Sequence, residues 1–129
     1  MTKINDIVMY TAILHPEDVG YSVKVPDIDG GFTQGDDIKE AILMTQDMIG
    51  LMLEDSTEYP TPTDFEKVET VGDDIKTLVT VNMSEYRLNN PKTIRKNVSV
   101  PEYLVKLGKD KGVNFSMILT KALKDELGV

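Results

Sequence analysis

The apolar and polar residues in the first third of the chain alternate in short stretches and then change to a helical spacing. Residues 7–14 (IVMYTAIL) form an almost unbroken β-prone run, and residues 21–25 (YSVKV) alternate apolar with polar side chains. A period of two is typical of a half-buried strand, and Pro26 ends that strand because it has no amide to donate. We therefore predict a β-hairpin, with residues 32–34 as a third antiparallel strand after a turn rich in Gly and Asp.

The chain's longest amphipathic helix is predicted between Gly35 and Leu53. Asp37 and Glu40 have the spacing of a capping box, which marks a helix start. One apolar face comprises Ile38, Ala41, Ile42, Thr45, Met48, Ile49 and Met52. Further apolar residues lie outside that face, namely Leu43, Met44, Leu51 and Leu53. We expect the face to cover the sheet, and the additional residues to enlarge the core or form a partner-binding groove.

The next elements complete an α+β domain. Thr63 and Glu66 form a second capping box before a short helix, and residues 77–81 (TLVTV) predict a fourth strand. The order is then β-β-β-α-(α)-β, a sheet with helix on one face. Periodicity is lost from residue 82 onwards and Asn89-Asn90-Pro91 favours a turn, so we predict domains at 1–85 and 92–129 with a hinge at 86–91.

The last 38 residues predict a strand followed by two helices. Residues 93–100 (TIRKNVSV) suit a short strand, Pro101 suits a helix start and Gly112 suits its C-cap. Asn114 or Ser116 can cap the final helix. Its apolar side comprises Phe115, Ile118, Leu119, Ala122, Leu123 and Leu127. Such a β-α-α unit is too small to bury a core alone, so it needs oligomerisation or docking.

Composition excludes several classes of protein. The chain has 129 residues, of which 40% are hydrophobic and 28% charged, and no apolar run approaches the roughly 20 residues of a membrane span. The first residues lack the apolar core of a signal peptide, so we expect a cytoplasmic protein that does not contact membranes. With no cysteine and only His15, we expect no metal site and no cofactor, and His15 itself suits a solvated turn.

Charge is divided unevenly between the two parts. Residues 1–90 hold 6 basic and 18 acidic side chains, a net charge of −12, and residues 91–129 hold 8 basic and 4 acidic ones, a net charge of +4. These sum to the −8 of the whole chain. The division indicates a cationic partner for the first part and nucleic acid for the second, although an acidic protein with a mildly basic end would look the same.

The turn between the second strand and the long helix resembles the signature of HicB-type antitoxins, Pro-Asp-x-x-Gly-Gly, then Thr-x-Gly, then a helix opening with Glu-Ala. The residues that carry this resemblance are Pro26, Asp27, Gly30, Gly31, Thr33, Gly35, Glu40 and Ala41. The resemblance implies a partial ribonuclease-H-like fold for residues 1–85. It also implies that this domain masks the active site of a HicA-type toxin, a ribonuclease that cleaves mRNA. Candidate acidic contacts to the toxin are Asp27, Asp29, Asp36 and Asp37.

The last 38 residues resemble the ribbon-helix-helix DNA-binding fold that many HicB proteins carry at the C-terminus. In that family two strands pair across a homodimer and enter the major groove, which admits a two-stranded ribbon. Alternation places Arg95, Asn97 and Ser99 towards DNA, with Val98 and Val100 inward. Arg can bind guanine, Asn adenine and Ser either base.

Phosphate contacts also follow from this resemblance. Lys92 could contact phosphate, and the family clamps a second phosphate with the backbone at the start of its last helix, here Asn114, Phe115 and Ser116. Gly108 departs from the family's more common Ala. We expect operator DNA and the toxin as partners, a homodimer through residues 92–129, and a larger hetero-oligomer with toxin bound.

Other interpretations stay open at this stage. The strand and helices could merely dimerise, or the tail could be a helix-turn-helix, although few polar residues of its last helix would then face DNA. A stand-alone transcriptional repressor could use the first domain to sense a ligand or another partner. We do not expect an enzyme, because residues 7–14 carry no carboxylate and the acidic residues concentrate in turns.

Overall fold

The computed structural model describes residues 6–91 and 93–129. The chain divides after Pro91 into two compact units. We call residues 6–91 the N-terminal unit and residues 93–129 the C-terminal unit, and each is described by itself. None of the helices in these described parts is long and apolar enough to cross a membrane.

A sheet of four antiparallel strands forms the N-terminal unit. The strands are β1 (Ile7–Pro16), β2 (Tyr21–Lys24), β3 (Phe32–Gly35) and β4 (Ile75–Asn82), in the order β3-β2-β1-β4. The predicted hairpin and third strand are confirmed, and β4 extends beyond the predicted residues 77–81 at both ends. The α+β class is likewise confirmed.

One face of this sheet carries the core. Alternate residues of β1 are buried, namely Val8, Tyr10, Ala12 and Leu14. The register places Val79 of β4 opposite Tyr10 and Val23 of β2 opposite Leu14, and both partners are buried. Because residues opposite one another on antiparallel strands share a face, β1, β2 and β4 present one continuous apolar surface.

Helix α1 (Ile38–Leu53) packs on that surface. The Asp37 carboxylate accepts a hydrogen bond from the Glu40 amide at 2.7 Å, which confirms the predicted cap. The helix buries Ala41, Thr45, Ile49, Gly50 and Leu53. The buried face differs from the predicted one at the end of the helix. Met52, predicted on that face, is 42% exposed, whereas Leu53, predicted outside it, is buried.

The second predicted capping box does not form. Instead of starting a helix, Thr63 donates from its amide and its hydroxyl to the two carboxylate oxygens of Asp27, at 2.8 and 2.6 Å. The following 3-10 turn (Phe65–Lys67) begins at Asp64 without a side-chain cap. A carboxylate is a stronger acceptor than a neutral group, which explains why Asp27 holds Thr63.

Two further side chains fasten residues 54–74, the connection between α1 and β4. The Tyr10 hydroxyl donates to the Pro60 carbonyl at 2.7 Å. The Lys76 ammonium donates to the carbonyls of Phe65 and Val68, at 2.6 and 3.1 Å. The connection is therefore held to β1 and β4 despite having little regular structure.

A helix that the sequence did not predict follows β4 directly. Helix α2 (Met83–Asn89) occupies the stretch where periodicity was expected to end, and Asn82 caps it through the Glu85 amide at 3.1 Å. Met83 is fully buried, so α2 belongs to the core of the N-terminal unit. Residues 86–89 of the predicted hinge are therefore helical, and the predicted domains at 1–85 and 92–129 stay predictions.

The C-terminal unit consists of two helices, α3 (Glu102–Lys111) and α4 (Phe115–Leu127). Gly112 ends α3 with φ of +68°, a conformation that only glycine adopts without strain, and Val113 donates back to the Gly108 carbonyl at 3.0 Å. The predicted C-cap is thus confirmed. Residues 93–100 form no strand in the single chain, contrary to the prediction, because a strand needs a partner to complete its ladder.

Candidate functional site

The acidic residues predicted to contact a toxin lie at the two ends of the β2-β3 hairpin. Asp27 and Asp29 belong to the turn between the strands, whereas Asp36 and Asp37 follow the last residue of β3, which pairs with Tyr21 at the other end. Asp29, Asp36 and Asp37 are exposed and Asp27 is half-buried. The four side chains therefore do not form one cluster.

Two of these four carboxylates have partners within the chain. Asp27 accepts both hydrogen bonds from Thr63, and Asp37 caps α1. The Asp36 amide donates to Glu40 at 3.3 Å, but no hydrogen bond of its carboxylate is seen among the described residues. Asp29 and Asp36 are accordingly the members of this set whose carboxylates are better placed to meet another molecule.

The single histidine is paired rather than merely solvated. His15 Nδ1 lies 2.6 Å from the Asp74 carboxylate, at the end of β1. This hydrogen bond raises the pKa of His15 above its ordinary value. Ser22 lies opposite His15 on β2, yet its hydroxyl donates to Glu17 at 2.8 Å, so this neighbour is not hydrogen-bonded to the imidazole as a nucleophile would be.

The described residues also bear on metal-dependent chemistry. Among them, no group of three or more His, Cys, Asp and Glu side chains is arranged to hold a metal ion.

A polar cluster links α2 to the residue before β1 and to the connection between α1 and β4. Asp6 accepts hydrogen bonds from Tyr59 at 2.8 Å and from Ser84, and the Arg87 guanidinium lies 3.7 Å from the same carboxylate. Burial, followed by the hydrogen bond to Asp6, raises the pKa of Tyr59. The sequence gave no signal for this cluster, because Asp6 and Ser84 are 78 positions apart.

Arg87 also completes the end of α1. Its guanidinium donates to the carbonyls of Glu54 and Ser56, each at 3.0 Å. The last carbonyls of a helix have no partner within the helix, and a cation there also interacts favourably with the helix dipole. Arg87 therefore fixes α2 against α1, which makes the cluster structural.

The residues predicted to contact bases are all exposed. Arg95, Asn97 and Ser99 lie in the unpaired segment before α3. Val98 and Val100, which were predicted to face inward, are 57% and 44% exposed. The single chain thus provides no inner side for this segment. Lys92, predicted to contact phosphate, lies outside the described residues.

The start of α4, where a phosphate contact was predicted, is capped by Asn114 and not by Ser116. The Asn114 side chain caps the helix by accepting from the Met117 amide at 3.0 Å, and Asn114, Phe115 and Ser116 are all exposed. Their surroundings include an open depression of about 380 Å³ lined by Asn114, Ser116, Met117, Thr120, Lys121 and Lys124. The Phe115 ring itself packs on Gly108, where a Cβ would approach its Cζ to 2.6 Å.

The apolar side chains of the C-terminal unit remain open to solvent. None of residues 93–129 is buried. Eight of the large apolar side chains of α3 and α4 are at least 43% exposed: Tyr103, Leu104, Leu107, Phe115, Met117, Ile118, Leu123 and Leu127. A stable domain of this size does not leave so much apolar surface uncovered, so the unit is incomplete as a single chain.

Comparison with known proteins decides the family. The model of the family described as "HicB_like antitoxin of bacterial toxin-antitoxin system" matches residues 10–115. This chain belongs to the HicB-like antitoxins. The match runs from residue 10 within β1 to the first residue of α4 and includes the signature turn and α1. The family resemblance inferred from the sequence is therefore confirmed.

Two solved structures resemble this HicB-like antitoxin over nearly their whole length. A chain of a toxin-antitoxin complex from Streptococcus pneumoniae is 29% identical, with a TM-score of 0.58, over 93% of this chain and 99% of that one. The antitoxin HicB from Burkholderia pseudomallei is 25% identical, with a TM-score of 0.53, over 90% of this chain and 96% of that one. No curated protein matches.

Proposed function

We propose that this antitoxin neutralises a HicA-type ribonuclease toxin through its N-terminal unit and represses its own operon as a dimer through its C-terminal unit. The observation that carries the proposal is a contrast between the units. The acidic N-terminal unit has a buried core, whereas no residue of the C-terminal unit is buried. A basic unit without a buried residue needs a second chain, and an acidic unit with a full core can bind a partner as it stands.

The toxin half of the proposal rests on family and charge. The Streptococcus pneumoniae neighbour belongs to a toxin-antitoxin complex. Residues 1–90 have a net charge of −12, which attracts a cationic protein surface and speeds its association. Asp29 and Asp36 are the acidic contacts best exposed for it, with Asp27 and Asp37 contributing from positions that the fold already uses.

The DNA half rests on the exposed segment before α3. In a dimer, residues 93–100 of two copies would pair as antiparallel strands, which supplies the partner that the single chain lacks. Val98 and Val100 would then turn towards the helices while Arg95, Asn97 and Ser99 face the major groove. Backbone amides at the start of α4, together with Lys92, would hold phosphates.

The toxin half is tested by copurification with the product of the adjacent reading frame. A fragment ending at Pro91 should bind that toxin and protect RNA from it, whereas one ending at residue 85 should fold poorly because it lacks Arg87 and the rest of α2. A well-folded fragment ending at Pro91 that neither binds nor protects would refute masking by this unit.

The DNA half is tested by footprinting and salt-dependent titration on the operon's promoter. Arg95→Ala should cost about 1–3 kcal/mol on the operator and relax the preference at one base pair. Lys92→Ala is the matched control: it should weaken binding to all DNA alike and lower the salt slope by about one. Full operator preference in Arg95→Ala would mean that the segment packs rather than contacts bases.

A repressor whose N-terminal unit senses a ligand is the second candidate. One observation favours it, a cavity of about 380 Å³ beside the His15–Asp74 pair. Its apolar wall includes Ile13, Phe32 and Val71. This candidate predicts that operator affinity responds to a small molecule and that the adjacent frame encodes no binding partner.

A further inference from the structure

Helix α1 exposes an apolar strip along one flank of the face that covers the sheet. Met44 is 41% exposed, Leu51 50% and Met52 42%, and Met48 is half-buried between them. Their spacing of three, four and seven or eight residues places them along one edge of the helix. We call these four residues the apolar ridge. Met48 also packs against the core, whereas Met44, Leu51 and Met52 leave 41%, 50% and 42% of their surface open to solvent. The ridge therefore exposes more apolar surface than the core covers.

Acidic side chains are interleaved with the ridge. Glu40 and Asp47 are exposed and precede Met44 and Leu51 by four residues each, so carboxylate and apolar side chains alternate along the same edge. The ridge also reaches the acidic turn between β2 and β3, because a Cβ on Gly30 would lie 3.6 Å from the Met52 methyl carbon. Asp29, next to Gly30, is exposed.

The apolar and acidic side chains together indicate what kind of protein surface the ridge would bind. Methionine side chains are flexible and polarisable, which suits an irregular apolar contact. Carboxylates within one helical turn favour Lys or Arg in the facing surface. A second copy fits poorly, because residues 1–90 of each copy would bring a net charge of −12 to the contact.

We infer that the apolar ridge is the docking surface for a basic amphipathic face of the toxin, apolar in the centre and rich in Lys or Arg at its rim. The ridge supplies the dry centre of the contact, and Glu40, Asp47 and Asp29 supply its charged rim. This inference rests on the proposed toxin binding and adds the place where it occurs. Buried apolar anchors at the centre of an interface dominate its affinity, whereas rim charges mainly set the association rate.

The test uses the full-length antitoxin and the purified toxin from the adjacent frame. Leu51→Asp introduces a charge into the ridge, and Leu43→Asp makes the same change on the same helix at a site of matching exposure, 50% and 53% respectively. Leu51→Asp should weaken toxin binding by more than about tenfold. Leu43→Asp should stay within about twofold of wild type. Both variants should keep the unfolding midpoint of wild type, since both side chains are exposed.

Charge at the rim gives an independent readout. Asp47→Lys should slow association and reduce its dependence on salt, with a smaller effect on dissociation than Leu51→Asp. Equal toxin affinity in wild type and Leu51→Asp, or equal weakening in both Leu variants, would overturn the inference while leaving toxin binding itself intact. Failure of the wild type to bind the toxin would instead refute the proposed function, and the ridge assignment with it.

Sedimentation of the antitoxin without toxin tests whether the ridge instead binds a second copy of this chain. An assembly that shrinks in Leu51→Asp but not in Leu43→Asp, with toxin affinity unchanged, would assign the ridge to a second copy of this chain and overturn the inference. Unchanged sedimentation together with weakened toxin binding supports it.

Discussion

The two units of this antitoxin treat apolar residues in opposite ways. The N-terminal unit buries large side chains from three of its four strands and from both helices. Tyr10, Leu14, Ile49 and Met83 are each at most 1% exposed. The C-terminal unit, with a similar helical periodicity in its sequence, buries none. The hydrophobic effect completes a core in the first unit, whereas the second unit still has apolar surface to bury, which the proposed dimer would cover.

Charge follows the same division. The self-contained unit carries the negative charge and the incomplete unit carries the positive charge. In the proposed dimer, folding of the basic unit would be coupled to assembly, whereas the acidic unit would bind its partner as an already folded surface. Stability of the C-terminal unit should consequently depend on protein concentration, and that of the N-terminal unit should not.

The largest difference in stability between the two units is expected when one isoleucine in each is replaced by alanine. Ile49 is fully buried and Ile118 is 54% exposed in the single chain. Ile49→Ala should lower the free energy of unfolding by about 2–5 kcal/mol at every protein concentration, because it leaves a cavity. Ile118→Ala should act through self-association, with a loss of stability that fades as concentration rises.

Denaturant titrations at several concentrations, combined with sedimentation, measure both effects. An Ile118→Ala cost that matches the Ile49→Ala cost and is independent of concentration would show that the C-terminal unit has its own core, and the comparison would fail.

Removing a polar side chain should also destabilise the N-terminal unit more than the C-terminal unit. Arg87→Met removes hydrogen bonds from a guanidinium that is only 23% exposed, and it leaves Asp6 without that cation, so a cost of about 1.5–3 kcal/mol is expected. Lys106→Met removes an ion pair with Glu102 whose side chains are 74% and 83% exposed, which should cost about 0.3–0.5 kcal/mol. Equal costs, measured by chemical unfolding of the full chain, would contradict this difference.

A methyl group added to one helical glycine in each unit gives a finer test. A Cβ on Gly50 would lie 2.4 Å from the ring of Tyr86, and a Cβ on Gly108 would lie 2.6 Å from the ring of Phe115. Gly50→Ala should cost about 1–2 kcal/mol, since overpacking in the core outweighs the gain in helix propensity. Gly108→Ala should cost less, because Phe115 is 43% exposed and its ring can move. Thermal unfolding compares the two variants directly.

The smallest effect concerns pH and is confined to the N-terminal unit, which holds the only histidine. The hydrogen bond to Asp74 raises the pKa of His15 above 6.5, so its stabilisation is complete below pH 6.5 and is lost as pH rises through the higher pKa of the folded state. Unfolding of this unit should become slightly easier above that range, while that of the C-terminal unit stays constant. His15→Gln should remove the difference, and a pH dependence that persists in this variant would assign it to other groups.

Sequence patterns predicted the elements whose causes are local. The strands β1, β2 and β3 follow from alternation and turn residues, and α1 follows from its periodicity and the Asp37 cap. Gly112 likewise predicted the end of α3. In each case the deciding residues lie within a few positions of one another, so the pattern and the physical cause coincide.

The elements that were predicted wrongly depend on distant residues. Thr63 matches a capping box, but Asp27, 36 positions away, takes its hydroxyl. Helix α2 has too few residues for a clear period, and it is held by Tyr86 against Gly50 and by Arg87 against the end of α1. No local pattern reports such contacts.

The candidate surfaces were predictable to different degrees. The excess of apolar residues on α1 was visible in the sequence, and Met44 and Leu51 do lie outside the core. Their alignment with Met48 and Met52 beside the acidic turn required the fold. Residues 93–100 form no strand in the single chain, so the strand and its DNA contacts, from Arg95 to Ser99, stay predictions.

The connection between α1 and β4 affects how the N-terminal unit can open. Its 21 residues would be a costly loop to order if held only at their ends, but the contacts at Pro60, Thr63 and Phe65 divide them into short segments. Each segment can detach without the others, since each is held by a different side chain of the sheet or its turns. The connection can therefore exchange its amide hydrogens in steps while the strands beneath stay paired, and a protease could cut it without global unfolding.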